Sequence, residues 1–317
     1  DALPILNGTT YGDQYEPRIA AQGTLRPHDV KVPGILVDVI VEAPDQLQTT
    51  ATAYDPAISG ELFRPLSSFV TADYGPAKVI ARRVAMELKS GWAVNIGFGI
   101  SANVPRILLE EGQHGKVTWV IEQGAVGGIP LLDFAFGCAS NAEAFVASPH
   151  QFIYFQGGGF NCSLLSFLEI GADGSVNVSR LSATPHRTAG AGGFVDITAR
   201  ARKIVFSGTF NAGAKMRLEK DRLIIDREGK IAKFVPKVDQ VSFSGKRAME
   251  QGQDITYVTE RCVIKLLKEG LTITEIAPGL DLQRDILDQA ATPLQVAKDV
   301  KQMDQRLFAP EPIGLSL

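Results

Sequence analysis

Apolar residues in this chain come in short runs, and most of those runs stop at glycine. Val79, Ile80, Val84, Ala85 and Leu88 recur three or four positions apart and predict a helix over 77–90, ended by Gly91. Residues 93–96 predict a short strand leading into Gly97-Phe98-Gly99, and residues 103–111 a second helix. A second strand is expected over 116–121, running into Glu122-Gln123-Gly124 and Gly127-Gly128. Residues 152–155 and 203–206 read as a third and fourth strand, followed by Gly157-Gly158-Gly159 and by Ser207-Gly208-Thr209. Strands alternating with helices predict an α/β fold: a mostly parallel central sheet with helices on both faces. Ligands of such sheets sit beyond the carboxyl ends of the strands, where glycine lets backbone N–H groups come close. Four glycine loops on one edge would form a site, although any one of them is equally consistent with a tight turn.

The flanks read differently. Residues 31–42 are rich in β-branched side chains and predict a buried strand, whereas residues 44–75 are punctuated by Pro44, Pro56, Gly60, Pro65 and Gly75 and read as an interdomain linker. Beyond residue 210 a β-rich region is expected. One hairpin is predicted over 222–226 and 230–235, turning at Arg227-Glu228-Gly229, and another over 263–267 and 271–276, turning at Lys268-Glu269-Gly270. Residues 294–307 read as a helix with Val296, Val300 and Met303 inward.

Composition narrows the function. Of the 317 residues, 45% are hydrophobic and 21% charged, as in an ordinary globular protein, and a net charge of -3 with mixed signs argues against a nucleic-acid surface. No apolar run has the length of a membrane span. Cys138, Cys162 and Cys262 are odd in number and far apart, which argues against disulfides and zinc and suits a reducing cytoplasm; Cys138 and Cys162 read as inert core thiols. His28, His114, His150 and His186 are scattered and suggest no metal site. Arg82-Arg83, residues 200–203 and residues 298–301 read as solvated charged faces, one of which could meet a phosphate.

Glu122 is the foremost chemical candidate. It ends an apolar strand and opens a glycine-rich loop, so burial would raise its pKa while loop N–H donors would lower it. Residue type alone leaves it open between a nucleophile and a carboxylate that caps a turn or pairs with an arginine. The surrounding motif is more specific. Val120-Ile121-Glu122-Gln123-Gly124-Ala125-Val126-Gly127-Gly128-Ile129-Pro130 resembles the nucleophile motif of family I CoA-transferases of the propionate and short-chain acyl-CoA type. Val94-Asn95-Ile96-Gly97-Phe98-Gly99-Ile100 is similar to that family's N-x-G-x-G-I loop, and Gly190-Ala191-Gly192-Gly193-Phe194-Val195-Asp196-Ile197 to its G-x-G-G-F-x-D-I loop. The stretch from His28 to Asp38, with Val32-Pro33-Gly34, resembles the close of the family's amino-terminal domain.

The resemblance implies reversible transfer of CoA between a short-chain acyl-CoA and a carboxylic acid, through a glutamyl-CoA thioester on Glu122. Coenzyme A is then a substrate, and no metal is implied. Asn95 would hold the glutamyl or CoA side, and N–H groups around Gly192 and Gly193, with Gly124 in the nucleophile loop, would meet the oxyanion. Gly97, Gly99 and Phe194 would line the pantetheine path. Residues 1–43 would be the remnant or end of an amino-terminal CoA-transferase domain, 76–308 the catalytic domain and 309–317 a tail. The partners implied are acyl-CoA and short carboxylates, in a homo-oligomer or with a second chain supplying the amino-terminal domain. Alternatives are an acyl-CoA hydrolase using the same glutamate, and a non-catalytic or sugar-phosphate-binding relative of the fold. One departure stands out: after Gly157-Gly158-Gly159 the family has an apolar residue and then aspartate, whereas here Phe160 precedes Asn161.

Overall fold

The structure is a computed structural model that describes residues 23–30, 33–39, 45, 47–49, 52–181, 184 and 188–317. Its centre is a sheet of ten strands. In chain order these are β1 (Trp92–Ile96), β2 (Val117–Val120), β3 (Ala125–Val126), β4 (Ala144–Phe145), β5 (Cys162–Ser166), β6 (Lys203–Ser207), β7 (Asp254–Val258), β8 (Cys262–Leu267), β9 (Gly270–Ile276) and β10 (Gln295–Gln302). Their spatial order is β10-β9-β8-β7-β6-β5-β1-β2-β3-β4. The five strands β7-β6-β5-β1-β2 run parallel, β3 and β4 extend one side antiparallel, and β8 and β9 extend the other.

The parallel strands are buried on both faces, so their sequences are nearly continuous apolar runs. Side chains alternate between two cores. Val94, Ile96, Leu164 and Val205 meet α1 (Pro76–Ala85) and α2 (Val104–Glu110) through Val79, Ile80, Ile107 and Leu108. Leu165, Ile204 and Phe206 face the other way, toward Phe155 of α3 (Ser148–Gln156), Phe194 and Ile197 of α4 (Phe194–Arg200) and Ala248 of α5 (Gly245–Glu250). The expected α/β fold, with helices on both faces and added β structure after residue 210, is therefore the observed one.

Several local expectations are corrected. Residues 152–155 are not a strand but part of the second half of α3, where Pro149 at the helix start supplies a preset φ and only Phe155 of that run is fully buried. The parallel strand is β5, which begins after Gly157-Gly158-Gly159. That glycine triplet therefore lies before a strand, not after one, and three of the four expected loops follow strands: those after β1, β2 and β6. Residues 294–307 form β10 and a 3-10 turn, Gln305–Phe308, in place of a helix. β10 pairs parallel with β9 at the sheet edge, and its Lys298, Asp299 and Lys301 blunt that edge.

The hairpin over 262–276 is as expected, whereas the one over 222–235 is not. Arg222–Arg227 pairs instead with Lys215–Glu219 across Lys220-Asp221, both at positive φ. Ile231–Ala232 joins Asn211–Ala212, and Phe234–Val235 joins Glu169–Gly171. The described part of the expected strand 31–42 is a 3-10 turn, Gly34–Leu36, set by Pro33 ahead of it, and Ile35 is 93% exposed. Lys31, Val32, Ile40, Val41 and Glu42 lie outside the described residues, as does His186.

Three residues of the basic clusters expected to be solvated, Arg82, Arg83 and Lys203, are instead buried against protein groups. Arg82 is fully buried and donates to the carbonyls of Leu307, Ala309 and Glu311, while Glu111 accepts from the N–H groups of Ile313 and Leu315. These bonds fasten residues 309–317 against α1 and the end of α2. Arg83 holds Glu275 through two bonds and Glu87 through a third. Lys203 bridges Glu87 and Asp254 at 2.7 and 2.6 Å. Burial alone would raise the Glu87 pKa, but Arg83 and Lys203 outweigh it and hold the carboxyl below its usual range. Lys203 and Asp254 open β6 and β7. They therefore sit at the start of the parallel strands, away from the carboxyl ends.

Candidate active site

Glu122 stands two residues past β2, at the carboxyl end of the parallel sheet. The chain turns sharply behind it. Gly124 donates its N–H to Ile121 O at 2.9 Å, and β3 returns antiparallel to β2. Gly124 has φ +119°, and a Cβ there would run into the Val146 carbonyl, so the turn requires glycine.

Facing Glu122 is the loop that leads into α4. The Gly193 N–H donates to Glu122 Oε2 at 2.9 Å. A Cβ on Gly192 would lie 3.2 Å from Glu122 Oε1, and one on Gly193 only 2.8 Å from Oε2. Two successive glycines are thus what lets this backbone reach the carboxylate. Asp196, in the first turn of α4, adds negative charge nearby and accepts from Gln156 Nε2 at 2.6 Å, which ties α4 to α3. Burial pushes the Glu122 pKa up, the Gly193 N–H works against that, and Asp196 pushes it up further. The net direction is upward: one donor does not offset the loss of water. Among the described residues, neither a cap of its own turn nor an arginine pair holds this carboxylate.

The other expected residues divide into those that meet Glu122 and those that do not. Asn95, fully buried on β1, donates Nδ2 to Val120 O at 3.1 Å, two residues before Glu122. Its Oδ1 and the Oε1 of Gln123 are buried without a hydrogen-bond donor. Gly97 and Gly99 follow β1, with Gly97 N–H bonded to Leu164 O at 2.7 Å and Gly99 packed on Ser166. Phe194, expected beside the pantetheine path, packs its ring against the core. It is 6% exposed and lies 6.0 Å from the Phe206 ring, because its position on α4 turns it toward the sheet.

Asn161 lies at the other end of β1. Its N–H donates to Ala93 O and its Oδ1 accepts from Ala93 N–H, both at 2.9 Å. The substitution relative to the family motif thus makes a structural clamp at the start of β1. All three cysteines are buried, and burial pushes the Cys262 thiol up to about 12. Among the described residues no group of three His, Cys, Asp or Glu side chains could hold a metal ion, and no helix is long and apolar enough to cross a membrane.

Sequence reasoning missed Gln151. It is 2% exposed on α3 and donates Nε2 to Ile121 O at 3.1 Å. A helix read from Ser148-Pro149 onward would have placed Gln151 and Phe155 on one inward face, four residues apart.

No family model matches the chain. It is 43% identical over 301 residues to the caffeate CoA-transferase of Acetobacterium woodii, across 93% of this chain and 57% of that protein. A crystal structure of the acyl-CoA transferase YdiF of Escherichia coli O157:H7, a thioester complex with CoA, superposes with a TM-score of 0.83 at 36% identity, covering 94% of this chain and 55% of that one. The acetate CoA-transferase subunit beta of Haemophilus influenzae is 26% identical over 237 residues, 71% of this chain and 94% of that subunit. The chain spans about half the length of the first two relatives. With the fold, the glutamate at the strand end and these identities agreeing, the chain belongs to the family I CoA-transferases.

Proposed function

We propose that Glu122 is the nucleophile of a CoA-transferase that exchanges CoA between a short acyl-CoA and a carboxylate. The observation that carries this reading is the partly desolvated Glu122 carboxylate held against the Gly192-Gly193 backbone at the carboxyl end of the sheet. A Glu122 oxygen attacks the acyl-CoA carbonyl, and the CoA thiolate leaves to give an acyl-glutamyl anhydride. The thiolate then attacks the glutamyl carbonyl, releases the first carboxylate and forms glutamyl-CoA. The acceptor carboxylate runs the two steps in reverse and regenerates Glu122. Each step passes through an oxyanion, and a Gly193 N–H already aimed at this locus stabilises it without reorganising; one such donor contributes about 3 kcal/mol.

The CoA-bound relative and the span of this chain bear on the rest. The relative's structure as a thioester complex with CoA supports the covalent route. Relatives nearly twice as long, and a subunit almost wholly covered by this chain, support a site completed by further polypeptide in the same or a second chain.

The direct test is trapping. The active protein is incubated with acyl-CoA, treated with borohydride and mapped by mass spectrometry. A reduced Glu122 is expected, and an unmodified Glu122 in an active preparation rejects the mechanism. A hydrolase using the same residue would release free thiol without added carboxylate.

The pH profile gives a second check. Because the Glu122 pKa is raised, its reactive ionised form is lost at a higher pH than for an ordinary glutamate. Asp196→Asn removes a negative charge that disfavours ionisation while keeping an acceptor for Gln156. The acid limb of kcat/KM is therefore expected to move to lower pH in that variant; an unmoved limb, or one displaced upward, contradicts the electrostatic account.

A further inference from the structure

Gln151 connects two parts of the site that no other described side chain joins in this way. It sits on α3 with its amide buried, and its Nε2 donates to the Ile121 carbonyl, which belongs to the peptide unit leading directly into Glu122. That carbonyl also accepts from Gly124 N–H at 2.9 Å. The preceding carbonyl, of Val120, is held by Asn95 Nδ2 from β1. Two buried side-chain amides thus grip two consecutive peptide units just ahead of the carboxylate, one from the sheet and one from a helix.

The same helix also touches the opposing loop. Phe152, next to Gln151, places Cε1 2.9 Å from where a Gly193 Cβ would be. Gln156, at the end of α3, holds Asp196 of α4. α3 therefore holds the Glu122 backbone through Gln151, lies beside Gly193 through Phe152 and ties α4 through Asp196. It sets the gap across which the Gly193 N–H meets Glu122 Oε2.

We infer that Gln151 is a positioning residue for the Glu122 nucleophile, setting its backbone so that the carboxylate reaches the thioester carbonyl and the Gly193 donor together. The inference rests on the nucleophile reading above. A buried amide in a helix whose inward face is otherwise aromatic has no packing advantage over an apolar residue of equal length, so its donor bond is what recommends it. Errors of about 1 Å in such a reactive geometry cost on the order of 100-fold in rate.

The test compares Gln151→Met, which keeps length and loses the donor, with Phe155→Leu, which loosens the core face of the same helix without touching Ile121. Single-turnover formation of the Glu122–CoA adduct from acyl-CoA is followed by intact mass and peptide mapping, together with kcat, KM and melting temperature. Gln151→Met is expected to slow adduct formation and kcat by about 10- to 100-fold, with KM for acyl-CoA changed less than about twofold. Phe155→Leu is expected to lower the melting temperature while retaining the adduct rate of the folded protein. Adduct formation at the parental rate in Gln151→Met overturns the inference, as does a rate loss in both variants that follows their melting temperatures. Absence of any Glu122 adduct in the unaltered active protein overturns the nucleophile reading itself, and this inference with it.

Discussion

Glu122→Gln is expected to lower CoA transfer by about 10⁴-fold or more, because loss of a covalent nucleophile has costs of this size. CoA binding should remain measurable, since the loops after β1 and β6 are untouched. The variant should also fold at least as stably as the parent near neutral pH. The folded Glu122 pKa is raised above its unfolded value. Its favourable contribution is therefore complete only below the unfolded pKa and is lost as pH rises through the folded value. Once ionised, the group opposes folding, and glutamine removes that opposition. Steady-state rates and thermal melts on the same preparations check both halves. Transfer at the parental rate, or a variant that unfolds, contradicts the assignment.

Gly193→Ala is the second large effect. Its Cβ would fall 2.8 Å from Glu122 Oε2 and 2.9 Å from Phe152 Cε1, so the loop must withdraw and carry its N–H with it. Losing that donor and the close approach together is expected to cost about 100- to 1000-fold in turnover. Gly190→Ala is the matched control: a Cβ there has nothing within 4 Å, and the rate should hold. Adduct formation with acyl-CoA separates chemistry from binding. Equal rates in the two variants would show that contact at Gly193 is irrelevant to catalysis.

The legible parts of the sequence were those where one physical demand dominates. β1, β2 and β6 are flanked by helices on both faces, so they read as apolar runs, and glycine closes them because backbone must turn there. Cys262–Leu267 and Gly270–Ile276 announced their hairpin through a short turn ending at Gly270, at φ +105°. Glu122 drew notice for the same reason: a charge placed where an apolar strand meets several glycines.

The illegible parts were those decided by tertiary partners. Phe152-Ile153-Tyr154-Phe155 is as apolar as a strand, yet Ile153 is 64% exposed and the run is helical because Pro149 starts a turn and α4 packs against it. Val296, Val300 and Met303 matched helical spacing by coincidence. Pairing with β9 made that stretch a strand, and Val296 is left 37% exposed at the sheet edge. The hairpin over 222–235 failed because Gly229 serves a close approach to Ala212 instead of a turn. Gln151 was invisible for a related reason: its value lies in a carbonyl thirty residues away.

The partial burial of Glu122 has a thermodynamic corollary for the proposed cycle. A carboxylate carries a full charge, whereas a glutamyl thioester carries none. Surroundings that disfavour the former leave the latter unpenalised, so the protein matrix tilts the half-reaction toward the loaded enzyme. Each pKa unit of that bias corresponds to about 1.4 kcal/mol between the two forms of the acid. The enzyme would thereby keep the energy of the incoming thioester in its own side chain until a second acid arrives to collect it.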